Sequence, residues 1–105
     1  MRFLAQVAIA GTWIDILEGR YLPNNRIALV AYERATGDKF ATITINIPEV
    51  HLAEDEFLIA NEQMTERIFR TLLEIPTWEP THKTAVGDRY CGPIMRLRRF
   101  NFDTQ

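Results

Sequence analysis

The stretch Phe40-Ala41-Thr42-Ile43-Thr44-Ile45-Asn46-Ile47, closed by Pro48, decides how this chain is to be read. Ala41, Ile43, Ile45 and Ile47 fall on one side and Thr42, Thr44 and Asn46 on the other, a period of two rather than 3.6. Most of these residues are β-branched and suit a pleated, half-buried strand. One apolar and one polar face is the pattern of an antiparallel sheet packed on a single side. Pro48, which has no N–H for a ladder, ends the strand.

Working back toward the N-terminus, Thr36-Gly37-Asp38 reads as a turn and residues 26–32 as a strand, with a break at Pro23-Asn24-Asn25. Residues 2–10 alternate Phe3, Ala5, Val7 and Ile9 against Leu4, Gln6, Ala8 and Ala10. Residues 13–18 set Trp13, Asp15 and Leu17 opposite Ile14 and Ile16, and the Gly11-Thr12 pair between them suits a type II′ hairpin turn. The N-terminal MRFLAQVAIAGTW carries Gln6 inside a short apolar run, so it reads as the first strand rather than a signal peptide.

Toward the C-terminus, Phe57-Leu58-Ile59 suggests a short strand. A helix follows, with Asn61 as N-cap, Glu62 and Glu66 in its first turns, and a stripe of Met64, Ile68 and Leu72 flanked by Phe69 and Leu73. The stripe reads as packing against the sheet. Pro76 biases Ile75 away from helical angles and stops the helix. Residues 76–93 show no periodicity and read as one long loop, the kind of segment that often carries function. Residues 94–100 form a closing strand, with Ile94, Arg96, Arg98 and Phe100 on one side and Met95 and Leu97 on the other. The expectation is a single α+β domain over residues 1–105: an antiparallel sheet, a meander of about four strands plus a C-terminal strand, packed against one α-helix.

The chain has 105 residues, 47% hydrophobic and 25% charged, the composition of one globule rather than of a disordered tail. Cys91 is the single cysteine, which excludes an internal disulfide and suits a reducing cytosol. No segment approaches the roughly 18 apolar residues of a membrane helix. The formal net charge of −2 lacks the basic footprint of a general DNA binder. All but Lys39 and Lys83 of the 12 cations are arginine, and Arg96, Arg98 and Arg99 cluster near the C-terminus, a pattern that also protects a sheet edge.

Catalytic signatures are sparse. His51 and His82 lie on either side of the helix without metal-ligand spacing, and there is no G-x-S-x-G elbow or Walker lysine. Glu54-Asp55-Glu56 are adjacent and cannot converge as an acid–base pair. Cys91, with His82 and Arg89 nearby in sequence, is the one candidate for thiol chemistry. The expectation is no catalytic residue, no metal and no cofactor. Binding is better served. Trp78 and Tyr90 offer faces for a planar group, and His82, Lys83, Arg89 and Arg96 offer cations for phosphate or for an acidic protein patch. The rival reading is that Trp78 and Tyr90 pin a structural loop to the core. A sheet with one helix leaves a face uncovered, so a homo-oligomer is expected, with Thr42, Thr44 and Asn46 as an exposed polar platform.

The pieces NNRIALVAYE, TGDKFATITINIP, LAEDEFLIANE, EPTHKT and GPIMRL follow one another in an order that resembles a small domain family of bacterial conjugative elements, plasmids and phages. The strand of the form F-A-T-x-T-x-N-x-P carries the resemblance most specifically, and the E-P-T-x-K-T stretch supports it. The family's E-P-T-G segment has glycine where this chain has His82, and the residues before Cys91 depart from its S-G-F. The resemblance implies the fold and a mobile-element setting in a bacterial cytoplasm, and it assigns no activity. Read together, these features suggest a non-enzymatic protein of a phage or mobile element that counters host defence. It would do so by binding a host immune protein or by sequestering a small anionic, nucleotide-like signal. The alternative is a structural or regulatory interaction module unrelated to defence.

Overall fold

Among the described residues eight strands build two four-stranded antiparallel sheets, and two short helices close one side. The computed structural model describes residues 1–22, 24–88 and 90–98. The first sheet is a meander in the order β1 (Arg2–Ile9), β2 (Thr12–Arg20), β3 (Ile27–Glu33), β4 (Lys39–Thr42). The second contains β5 (Thr44–Ile45), β6 (Glu56–Ile59), β7 (Trp78–Val86) and β8 (Cys91–Leu97), in the order β5-β6-β8-β7. The class is broadly α+β, and four consecutive strands do form a meander, but the single sheet expected from sequence is two sheets.

The division falls inside the stretch quoted first. At Ile43 the chain leaves one sheet for the other: its N–H donates to Leu29 O at 2.9 Å, and its carbonyl accepts the Ala60 N–H at 2.7 Å. Thr44, expected on an exposed polar face, is 2% exposed. Its Oγ1 accepts the Leu29 N–H at 3.0 Å and lies 3.0 Å from Tyr21 Oη, so the buried hydroxyl is satisfied and binds the two sheets together. Ala41 and Ile43 therefore join the main core, while Ile45 and Ile47 pass to the far side of the second sheet. The alternation is real, but its two halves face different cores.

Three further expectations are corrected. Ala10 and Gly11 have φ of 51° and 78°, and Ile9 pairs with Thr12. Two positive-φ central residues make a type I′ turn at Ala10-Gly11 rather than a II′ turn at Gly11-Thr12. The single helix is two pieces, α1 (Gln63–Arg67) and α2 (Phe69–Leu73), separated at Ile68 (φ −103°, ψ 8°). Glu62 rather than Asn61 takes the N-cap position, with no side-chain cap bond, and β-branched Thr65, Ile68 and Thr71 give the helix a low intrinsic propensity. Met64 is 37% exposed, and the buried stripe runs through Thr65, Ile68 and Leu72 instead, with Thr65 Oγ1 donating to Thr42 O at 2.6 Å.

The third correction concerns residues 76–93, which are not a loop. Most of them form the β7–β8 hairpin, whose register slips between Pro80 and Thr84. His82 sits in this bulge at φ 66°, a region glycine adopts without strain. Pro80 is tolerated because β7 is an edge strand. The bulge interrupts the period of two and so hides the strand from a search for alternation.

The main core lies between the sheets. Ile14, Ile16, Ile27 and Leu29 from the first meet Phe57, Ile59, Met95 and Leu97 from the second, with Ile68, Leu72 and Ile75 closing the side. Phe57 and Trp78 stack edge to face with centroids 5.8 Å apart. On the other face of the second sheet, Leu58, Ala85, Tyr90 and Ile94 form a smaller cluster under Ile45, Ile47, Val50 and Leu52. Among the described residues the outer face of the first sheet has no such cover: Trp13 and Phe3 are 59% and 55% exposed.

Candidate functional site

The residues singled out from sequence divide among three environments. Trp78 belongs to the main core, and its Nε1–H donates to Leu72 O at 2.7 Å at the end of α2. It pins β7 to the helix and offers no face to a ligand. His82 is exposed on the bulge. Arg89 lies outside the described residues. Cys91 is exposed opposite Val86 in the hairpin register, several residues along the hairpin from the His82 bulge.

Lys83 and Arg96 meet on the outer face of the second sheet, and each already has an acidic partner. Arg96 stands opposite Glu56 on β6 and Glu79 on β7. Arg96 Nη2 donates to Glu79 Oε1 at 3.1 Å, and Arg98 lies 3.6 Å from Glu79 Oε2. Lys83 Nζ donates to Glu56 Oε2 at 2.6 Å, and the Ala53 N–H donates to Glu56 Oε1 at 2.8 Å. Burial pushes the Glu56 carboxyl up, but the hydrogen bonds from Lys83 and Ala53 and the charges of Lys83 and Arg96 together outweigh it. Its pKa lies below the ordinary 4.5. An incoming phosphate would have to displace these carboxylates from the same cations.

Tyr90 packs on the same face beyond the charged half. Its hydroxyl donates to Ile59 O at 2.9 Å, and burial, followed by the neighbouring Cys91, pushes its pKa up against the opposing effect of that bond. The reason for the bond lies in the ladder. The Ala60 N–H bonds Ile43 O, so alternation along β6 turns Ala60 and Leu58 toward β5 and aims Ile59 at β8. There, one step beyond the Leu58–Ile94 pair, stands Pro93, which has no N–H to give. The Tyr90 hydroxyl supplies the missing donor. Gly92 makes room for the ring, since a Cβ at this position would lie 2.5 Å from Oη and 2.8 Å from Cζ of Tyr90.

Beside Tyr90 opens a groove of about 980 Å³. Its floor is apolar, made of Ile45, Ile47, Val50, Ala85, Tyr90 and Ile94. Its rim is polar, with Glu49 and His51 on one bank and Thr84 and Asp88 on the other; among the described lining residues there is no lysine or arginine. The first bank is a strap turned at Pro48-Glu49, where the Val50 N–H donates to Ile47 O at 3.1 Å. Arg26, at the head of β3, holds that strap. Its guanidinium donates to Ile47 O at 2.8 Å and also to Val50 O, while Asn24 Nδ2 donates to Asn46 Oδ1 at 2.9 Å. The five donors of a guanidinium suit this fork of carbonyls.

Sequence reading missed the groove. Among the described candidates only Tyr90 lines it, because in sequence the strap reads as the end of a strand and the loop after it, and the far bank as part of a longer loop. The break at Pro48 and the apolar Val50 and Leu52 after it were the available signals. Among the described residues every buried side-chain nitrogen and oxygen has a hydrogen-bond partner, no His, Cys, Asp or Glu cluster is placed to hold a metal ion, and no helix is long and apolar enough to cross a membrane. No family model, no curated protein and no solved structure matches this chain.

Proposed function

We propose that this chain is a non-enzymatic binding protein whose partner is another protein, held in the groove on the outer face of the second sheet. The observation that carries the reading is the groove itself: an apolar floor, a polar rim, and one bank held in place by Arg26 from the head of β3. Apolar concavities with a few fixed polar groups are where ligands and partner side chains settle. A protein is favoured over a nucleotide-like signal because two of the side chains offered for phosphate, Lys83 and Arg96, are occupied by Glu56 and Glu79. The mobile-element setting suggested by the F-A-T-x-T-x-N-x-P strand makes a host defence protein the partner in view, acting by occlusion in the bacterial cytoplasm.

The same proposal includes self-association through the first sheet. Its outer face carries Trp13, Phe3, Leu17, Val30 and Tyr32, and its acid Asp15 is already paired with Arg34 at 3.0 Å. Lys39, opposite Tyr32, stands at the β4 margin, and the rest of the face, apolar and with its carboxylate paired, fits another apolar sheet packed in aligned fashion. Three strands about 25 Å long and the shorter β4, about 4.8 Å apart, give a footprint of roughly 400 Å². That is short of the ~800 Å² per partner of a standard interface, so the dimer should be concentration-dependent. Native mass spectrometry of the protein recovered from host lysate tests the function. A retained protein that Val86→Asp abolishes is the expected result; a retained nucleotide in place of a protein contradicts it.

A further inference from the structure

Resting on the groove as the binding site, we infer that its occupant is an extended segment that pairs with the open edge of β7 and carries basic side chains between apolar ones. The first ground is the phase of the hairpin ladder. The Gly87 N–H donates to Tyr90 O at 2.7 Å, which makes 87–90 a bonded pair. Alternation then makes Val86–Cys91 a non-bonded pair, Ala85–Gly92 bonded and Thr84–Pro93 non-bonded, the last in keeping with a proline that has no N–H. Thr84 and Val86 therefore turn their N–H and C=O groups away from β8. Among the described residues no strand lies on that side, because β7 is the edge of its sheet.

Such an edge invites strand addition unless it is blunted. The His82 bulge and Pro80 blunt its first half, but from Thr84 to Val86 it runs regularly, and Val86 is 75% exposed. A strand laid there directs every second side chain to the face where Ala85, Tyr90 and Ile94 form the groove floor. The second ground is charge. Asp88 stands on the near rim and Glu49 on the far one, so a cation is welcome over an otherwise apolar floor and a second carboxylate is not.

The test titrates ¹⁵N-labelled full-length protein with two blocked hexapeptides, one alternating valine with arginine and the other valine with glutamate. Amide shifts at Thr84, Val86 and Gly87 with the arginine peptide, and at least tenfold weaker binding of the glutamate peptide, are expected. Val86→Pro removes an edge N–H that the β8 ladder does not use and should weaken the arginine peptide at least tenfold. E49K/D88K should reverse the preference between peptides, and it serves where the proline variant fails to fold. Equal binding of both peptides, shifts confined to other strands, or no binding of either overturns the inference. If the arginine peptide fails while a protein partner is still lost in Val86→Asp, the groove stands as a binding site and only the proposed occupant falls.

Discussion

The two sheets deal with their second face in opposite ways. The first packs Ile14, Ile16, Ile27 and Leu29 inward and leaves Trp13 and Phe3 exposed on a face that no described residue covers. The second is covered on both sides, by the main core and by the strap of residues 46–52, and the cover is incomplete enough to leave a groove. The first sheet has register shifts of its own, at Phe3/Ala5 and at Ala31/Tyr32, yet stays open on its outer face. The second, with a bulge, two prolines and a strap folded over it, presents a shaped surface. In this molecule the strap, not irregular pairing as such, produces the concavity.

The largest effects should separate the two cores. Phe57→Ala opens the layer between the sheets and should cost about 3–5 kcal/mol, whereas Leu58→Ala, from the thinner cluster on the other face of the same strand, should cost about 2–3 kcal/mol. Urea denaturation measures both, and a Leu58 cost equal to or above that of Phe57 would remove the distinction between a main core and a satellite.

Next is the Tyr90 donor. Tyr90→Phe leaves the Ile59 carbonyl buried without a partner and should cost about 1–3 kcal/mol. Pro93→Val restores a ladder N–H, so in the double variant much of that cost should return. Strict additivity in the double-mutant cycle would mean that the hydroxyl and the proline are not linked through that carbonyl.

A smaller effect sharpens the charged half of the second sheet. Because the Glu56 carboxyl titrates below 4.5 in the folded chain, its contribution is present above the unfolded value and is lost as pH falls through the folded one. Melting temperature should therefore drop more steeply below about pH 4.5 in the wild type than in Glu56→Gln. Parallel acid profiles would show that the Lys83 pair contributes nothing measurable, as many exposed pairs do.

The smallest effects lie at two of the three non-glycine residues with positive φ, Asn25 being a residue type that tolerates it. Ala10→Gly and His82→Gly relieve positive φ in the first and second sheets respectively, and each should stabilise by up to about 1 kcal/mol in thermal melts. Destabilisation by His82→Gly would mean that the imidazole makes a compensating contact on the bulge.

The first sheet was legible because its strands are consecutive, its breaks are marked by Gly11, Asn24-Asn25 and Gly37, and its inward residues, Glu18 apart, are mostly apolar. Ile14 and Ile16 are buried as their alternation predicts. In the second sheet the strands at Phe57-Leu58-Ile59 and from Ile94 onward were legible too, but the rest was not, for physical reasons particular to four places. Thr44 is a polar residue whose hydroxyl stands in for a backbone acceptor, so a buried position looks exposed. The bulge at His82 shifts the period of β7. Lys83 and Arg96 read as free cations until the fold brings Glu56 and Glu79, distant in sequence, against them. Arg26 reads as the start of a strand, and its hold on the strap depends on carbonyls more than twenty residues away.

Affinity capture from bacterial lysate with two variant baits tests the assignment of one role to each sheet. F3K/W13K alters only exposed side chains of the first sheet, and V86D/D88K alters only the groove's bank. The account predicts that the first pair of changes abolishes concentration-dependent dimerisation yet retains the captured protein, while the second loses the captured protein. Retention by V86D/D88K together with loss from F3K/W13K would contradict it and move the binding surface to the first sheet.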